Sequence, residues 1–406
     1  MTGRARANGE GSLFAYRNGF AAYVWVTNPV GTRARKWIYG QDREELHGRW
    51  IDLQKQAREG PVATKVPKLA EYIAYWLQEI VKPNLAPLTY STYETLSRLY
   101  IVPGLGEKRL DKLSVRDVQT WINKVPQTCQ CCAQGKDARR PEKSRRCCAV
   151  GRCCDATPSK RTVADLRTVL RSALSSAGRE ELITKNVASM IRLPARRRRK
   201  GKAWSSDEAR TFLESVRGEG NSLYAAYVLI LVLGLRKGEV LGLTWADVDL
   251  PAAELAIAWQ LQRVRGELLH RETKTEASDA TLPLPAICIA ALQQRQAVQE
   301  RAREAAGEAW TKSALVFTTR YGDPVEPRNF NRYFTARCAA AGVRRITVHD
   351  ARRTCATLLV DLDVHPRVVM QILRHAQFDV TMEVYATASS KATRKALKRL
   401  GKSLDG

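Results

Sequence analysis

The chain has 406 residues, enough for two or three domains that each bury a core. It carries 67 Lys plus Arg against 41 Asp plus Glu, a formal charge of +26, which points to a polyanionic partner, above all nucleic acid. Solubility alone is the other reading of that charge, though a smaller excess would serve it. The first residues, MTGRARANGEGS, hold no apolar stretch and do not resemble a secretory signal. The longest nearly apolar run, Leu223 to Leu235, is too short to span a bilayer and reads as a buried helix, so we expect a cytoplasmic, DNA-associated protein without membrane contact.

In chain order, residues 13 to 58 read as a small β-sheet followed by a helix. The aromatic and β-branched runs Phe20 to Val26 and Arg33 to Tyr39 flank the turn Asn28-Pro29-Val30-Gly31, and Asp42 to Ala57 has helix-favouring composition. Arg33, Arg35 and Trp37 alternate with Ala34, Lys36 and Ile38, which places arginines beside aromatics on one face. Such a face suits DNA contact, since β-ribbons can enter the major groove; a generic basic hairpin is the alternative. After a Lys- and Pro-containing linker at 59 to 67, Leu69, Ile73, Trp76, Leu77 and Ile80 recur at helical spacing and predict core, with Pro83 and Pro87 ending that helix. Thr89 to Leu99 predicts a second helix, Ser114 to Asp117 a capping box that opens a third, and Val163, Leu166, Leu170 and Leu174 a fourth.

Seven of the ten cysteines crowd between Cys129 and Cys154, inside this helical region. Cys129 and Cys132 form a C-x2-C half-site, and Cys148 with Cys153 around Gly151 offers the other half. Four thiolates around one tetrahedral structural zinc would order an insertion at 126–158 that lacks a core of its own. The sequence leaves the ligand subset open, and a redox-sensitive or simply reduced cluster is the alternative. The basic run Arg196, Arg197, Arg198, Arg199 and onward to Lys202 is a linker that is either solvated or laid against phosphates. From 206 onward the pattern is mostly helical. Ser205 to Glu208 predicts a capping box, and Leu255 to Val264, Glu267 to Arg271 and Ala280 to Leu284 predict short strands. The expected fold is α+β and multidomain. It comprises a three-stranded sheet plus helix at 1–62, a helical domain with the cysteine insertion and basic linker at 63–200, and a mostly α domain with a small β-sheet at 201–406.

Arg236 and Glu239 lie three residues apart, so the carboxylate can fix the guanidinium toward a phosphate. His349 and Arg352 share a helix face by the same spacing. Each pair alone is common. Together, LGLRKGEVLGLTWADVDL, the turn Lys274-Thr275 before ATLPLP, HDARRTCATLL, and LRHAQ followed by VTMEVY resemble the tyrosine recombinase (phage integrase) family. The likeness covers roughly residues 203 to 395, with 68 to 125 similar to the family's core-DNA-binding domain and 13 to 58 to the arm-site domain of integrases.

The resemblance implies that Tyr385 is a nucleophile that forms a 3′-phosphotyrosyl link and frees a 5′-hydroxyl. It makes Arg236 and Arg352 stabilise the pentavalent transition state and Lys274 protonate the leaving oxygen. His349 assists proton transfer and His375 donates to a phosphate oxygen. No catalytic cofactor is called for. The implied partners are double-stranded attachment sites, three further copies of the chain in a tetramer passing through a Holliday junction, a host bending protein and an excision factor. The basic stretch Lys391 to Lys402 either docks on a neighbouring subunit or is a solvated helix. A dimer-resolving recombinase, a type IB topoisomerase and a catalytically idle DNA-binding regulator are the other readings. Two positions depart from the usual pattern: Arg374 stands where glycine commonly precedes the histidine, and Thr387 where a histidine is frequent.

Overall fold

The computed structural model describes residues 12–27, 31–60, 62, 66–194, 202–273 and 280–374. The chain divides into two compact units, Met1–Arg197 and Arg198–Gly406. Among the described residues, no helix is long and apolar enough to cross a membrane.

In the first unit, strands β1 (Ser12–Tyr16), β2 (Gly19–Thr27) and β3 (Arg33–Gly40) form an antiparallel sheet in that order, followed by the helix Arg43–Glu59. Alternation along the strands splits the sheet into two faces. Val24 and Val26 pack with Leu53 and Val62, whereas Arg33, Arg35, Trp37 and Tyr39 are exposed. Asp42 caps the helix by accepting from the Glu45 N–H at 2.8 Å.

A helical core follows, built on Leu69, Ile73, Trp76, Leu166, Leu170 and Leu174. Trp76 is almost fully buried and donates its Nε1–H to Ser176 Oγ at 3.1 Å, which ties the helix Lys160–Arg179 to the first helical segment. The segment ends at Asn84, between Pro83 and Pro87 as expected, but it takes an unexpected form on the way. The chain runs on from Leu69–Tyr75 through a π-helical stretch, Trp76–Val81, into Lys82–Asn84. There the Lys82 N–H reaches back five residues, to the Leu77 carbonyl. A wider turn just before proline leaves room for its ring and for the hydrogen bond it cannot donate. The same device precedes Pro103: Ser97–Ile101 is π-helical, and the Val102 N–H bonds to the Ser97 carbonyl. The second predicted helix therefore extends, from Pro87 to Leu105. Ser114 and Asp117 form the expected capping box.

The second unit is organised around Tyr224–Val232, a helix apolar all round and buried along nearly its whole length. Phe212, Tyr227, Phe330 and Phe334 pack edge and face around it, with ring centroids 5.3–5.7 Å apart. The helix Val348–Asp361 lies against it, with Cys355 Sγ 3.3 Å from the Val232 carbonyl. The predicted strand Leu255 to Val264 breaks at Ala258 into Glu254–Ile257 and Trp259–Val264, which belong to different sheets. The first joins Val248–Asp249 and Ala280–Pro283, and the second makes a ribbon with Glu267–Glu272. The helix Lys237–Gly242 packs on that ribbon, where a Cβ on Gly242 would sit 2.6 Å from the Gln260 backbone, so only glycine fits the approach.

Candidate active site

The apolar helix ends, and a turn carries the first functional residue. Gly234 takes a left-handed φ of 60°, and the chain re-enters helix at Lys237 with Arg236 at its N-terminus. Glu239, one turn on, is 3% exposed. Its carboxylate accepts from the Arg236 backbone N–H at 2.7 Å and from Arg236 Nη1 at 2.6 Å. It also accepts from Arg374 Nη2 at 2.6 Å. The expected Arg–Glu pair is thus present, but as a buried anchor shared by two guanidinium groups rather than as a surface pair.

Arg352 lies on the helix Val348–Asp361, which Thr347 and Asp350 cap reciprocally. Only 5% exposed, it donates through Nη1 to the Gly234 carbonyl and through Nη2 to the Leu373 carbonyl. One planar fork therefore ties the turn before Arg236 to the end of the helix Pro366–Leu373. Burial pushes the Arg352 guanidinium down to about 9, with repulsion from Arg236 and Arg374 adding to that and Glu239 opposing it. It stays charged at neutral pH.

Arg374 ends that helix with φ 52° and ψ 50°. A left-handed backbone is where glycine is favoured, and a non-glycine there costs about 1 kcal/mol. The buried ion pair with Glu239 offsets that cost. The Arg374 carbonyl in turn accepts from Arg236 Nη2 at 3.2 Å.

Arg236, His349 and Arg352 line one cavity of about 510 Å³ with Lys237, Asn331 and Thr347. His349 lines it while keeping part of its surface open to solvent. Lost hydration, ahead of repulsion from Arg352, holds its imidazole below the ordinary value, so its neutral form dominates near pH 7. Burial likewise lowers the Lys237 ammonium, against the pull of Glu326. Three arginines around one carboxylate leave a surplus of positive charge in a partly desolvated cavity, an arrangement suited to a phosphodiester.

Comparisons with known proteins agree with that chemistry. Residues 203–392 match the phage integrase family, and residues 68–125 match the phage integrase N-terminal SAM-like domain. An integrase of Streptomyces ambofaciens is 27% identical over 374 residues, covering 88% of this chain and 86% of its own. A XerC-like tyrosine recombinase of Caldanaerobacter subterraneus subsp. tengcongensis is 25% identical over 390 residues, covering 91% and 92%. The chain belongs to the phage integrase family of tyrosine recombinases. In fold, the Tn1549 transposon integrase, solved in complex with transposon right end DNA, has a TM-score of 0.61 at 20% identity, covering 82% of this chain and 99% of that one.

Of the six residues expected to act in this tyrosine recombinase, Arg236, His349 and Arg352 meet at the cavity, while Lys274, His375 and Tyr385 lie outside the described residues, as do Arg196, Arg197, Arg198, Arg199 and Thr387. Arg374 and Lys237 were not among the expected site residues. Their signal was adjacency, each being next in sequence to a residue that was. Away from the cavity, His270 Nε2 is 2.7 Å from the Gly242 carbonyl, and His365 Nδ1 accepts from the Arg367 N–H. On the N-terminal sheet, Arg35 lies over Trp25 at 4.7 Å and Tyr23 at 5.1 Å, and Arg33 over Trp25 at 5.2 Å, so aromatic faces hold both cations outward. The sulfurs of Cys129, Cys132, Cys148 and Cys153 all lie within 4.8 Å of one another.

Glu239→Gln keeps the shape of the anchor and removes its charge. We expect a loss of about 3 kcal/mol in the urea unfolding of the full chain, because the buried Arg374 and the half-exposed Arg236 lose their shared counterion. Added sulfate should restore more stability to the variant than to the parent. An unchanged midpoint would mean that Glu239 is not the anchor.

Proposed function

We propose that this tyrosine recombinase is a site-specific integrase that cuts and rejoins DNA through a 3′-phosphotyrosyl intermediate and a Holliday junction, integrating and excising a phage or integrative element. The observation that carries this reading is the cavity in which Arg236, Arg352 and His349 converge, with Glu239 holding the first arginine in place. Relatives named integrase, such as that of Mycobacterium phage D29, 24% identical over 413 residues and covering 98% of this chain and 97% of their own, support the biological role.

In this scheme the scissile phosphate enters the cavity and meets guanidinium groups already fixed in position. They oppose the charge that grows on its nonbridging oxygens as Tyr385 attacks. His349, held neutral, takes the tyrosine proton, and Lys274 gives a proton to the departing 5′-oxygen. His375 donates to a phosphate oxygen. The bond energy stays in the tyrosyl ester, so rejoining is the reverse attack by a 5′-hydroxyl and needs no nucleotide cofactor. We assign 1–62 to arm-type DNA sites, 63–200 to core-type sites and 201–406 to catalysis. The exposed Arg33 and Arg35 face, and the linker arginines 196 to 199, contact phosphate. Two duplexes at attachment sites are held by four copies of the chain, with a host bending protein and an excision factor setting direction. The Tn1549 integrase has been solved on circular intermediate DNA as well as on a transposon end, which supports a duplex partner here.

A nicked suicide substrate tests the reaction. The parent should trap a covalent DNA adduct, and Tyr385→Phe should abolish it while DNA binding survives. An adduct that persists in that variant would overturn the nucleophile, and binding without any adduct in the parent would make the chain a regulator.

The lowered imidazole of His349 has a sign in the rate. Protonation removes the base, so cleavage at subsaturating DNA should fall only below the ordinary histidine value of about 6.5. His349→Gln should cut the rate by about 100-fold and erase that acid limb. An acid limb at or above the ordinary value would contradict the assignment.

A further inference from the structure

The cysteine insertion takes no part in the scheme above, and it has no apolar core. Between 126 and 158 the longest helical element is Gln130–Ala133, and the buried residues are Gln130, Cys131 and Asp137. Asp137 is fully buried and accepts backbone N–H bonds from Arg146, Cys147 and Ala149, and a bond from Arg140 Nη1 at 3.0 Å. That carboxylate folds the second cysteine pair back over the first, but one buried aspartate does not order a segment this long. Something else must hold it.

The sulfurs supply the answer. Two sets of four lie within 4.8 Å of one another: Cys129, Cys132, Cys148 and Cys153, and separately Cys131, Cys147, Cys148 and Cys154. Cys148 belongs to both. Cys129 to Cys148 is 3.8 Å and Cys132 to Cys153 is 3.7 Å in the first set. In the second, Cys131 to Cys147 is 3.8 Å and Cys148 to Cys154 is 3.7 Å. A zinc–sulfur bond of about 2.3 Å gives a tetrahedron with edges of about 3.8 Å, whereas a disulfide brings sulfurs to about 2.05 Å. The two sets abut, with Cys129 and Cys154 3.9 Å apart.

We propose that the insertion is a binuclear thiolate site in which Cys148 bridges two soft divalent cations, zinc by donor type. Cys129, Cys132 and Cys153 complete one tetrahedron, and Cys131, Cys147 and Cys154 the other. Two separate four-thiolate sites would need eight sulfurs; the cluster has seven, and one shared sulfur closes both. Seven thiolates on two dications leave net negative charge, which the surrounding basic residues, from Lys136 to Arg152, counter. The cysteines outside the cluster, Cys288, Cys338 and Cys355, are buried in the second unit and take no part. The one-zinc expectation drawn from the C-x2-C half-site is thereby extended to two.

The test is metal content of the full chain, purified without chelator and reloaded with zinc under reducing conditions. Two zinc ions per chain are expected, and one or none would overturn the binuclear site. Titration of the stripped protein with cobalt should bring the thiolate-to-metal absorption to saturation at two equivalents, with the two ions magnetically coupled through the shared sulfur. Saturation at one, or two uncoupled ions, would overturn the bridge. Cys154→Ser should drop the content toward one while the first tetrahedron keeps its ion. If that variant still binds two, Cys154 is not a ligand and the assignment fails. Resistance of six of the seven cysteines to alkylation in metal-stripped, unreduced protein would mean three disulfides in place of metal, and would overturn the site.

Discussion

Two arginines at the candidate active site are fixed by one buried carboxylate. Glu239 accepts three hydrogen bonds, two from Arg236 and one from Arg374, in a place where water is nearly excluded. Uncompensated arginines at such depth would be costly, and a single counterion does not neutralise three of them. The remainder is a standing positive potential with fixed geometry. That is the condition for stabilising a transition state without reorganising at the moment of reaction. Arg352 adds the mechanical part, since its fork joins the Gly234 carbonyl to the Leu373 carbonyl. The turn that carries Arg236 and the helix end that leads to His375 are thus held by the same side chain.

Much of this was legible in the residues, within limits set by distance along the chain. The Arg236–Glu239 and His349–Arg352 spacings are local, and helical geometry makes them predictable. That Glu239 is buried, and that it is shared with Arg374, joins positions 135 residues apart and follows only from packing. Arg374 is the instructive case. As a letter it is a departure from glycine; in the fold it bears the left-handed backbone and contributes a guanidinium to the anchor. The π-helical turn ahead of Pro83 was not legible for a different reason, because it leaves no composition signal of its own. The strand read as one piece from Leu255 to Val264 splits at Ala258, a change of sheet that alternation cannot reveal. The cysteine half-sites were visible from C-x2-C spacing, yet the sharing of Cys148 was not, since it depends on how Asp137 folds the segment back.

The same physics recurs at the N-terminal sheet at a lower energetic level. There, exposed arginines lie over aromatic rings, which limits their freedom without removing them from water. In the proposed scheme, contacts of that type would lend affinity that falls with salt, whereas the arginines of the cavity would act on a single phosphate at close range. Two kinds of positive charge would therefore serve two purposes in a chain whose formal charge is +26.

The central claim is that the anchored arginines act by opposing charge on the nonbridging phosphate oxygens. The most direct measurement compares cleavage of a normal scissile phosphate with cleavage of a neutral methylphosphonate at the same position. Arg352→Ala should slow cleavage of the phosphate by about 100- to 1,000-fold and have little effect on the methylphosphonate, whose charge has already been removed. An equal loss on both substrates would contradict the account and leave Arg352 a purely structural tie.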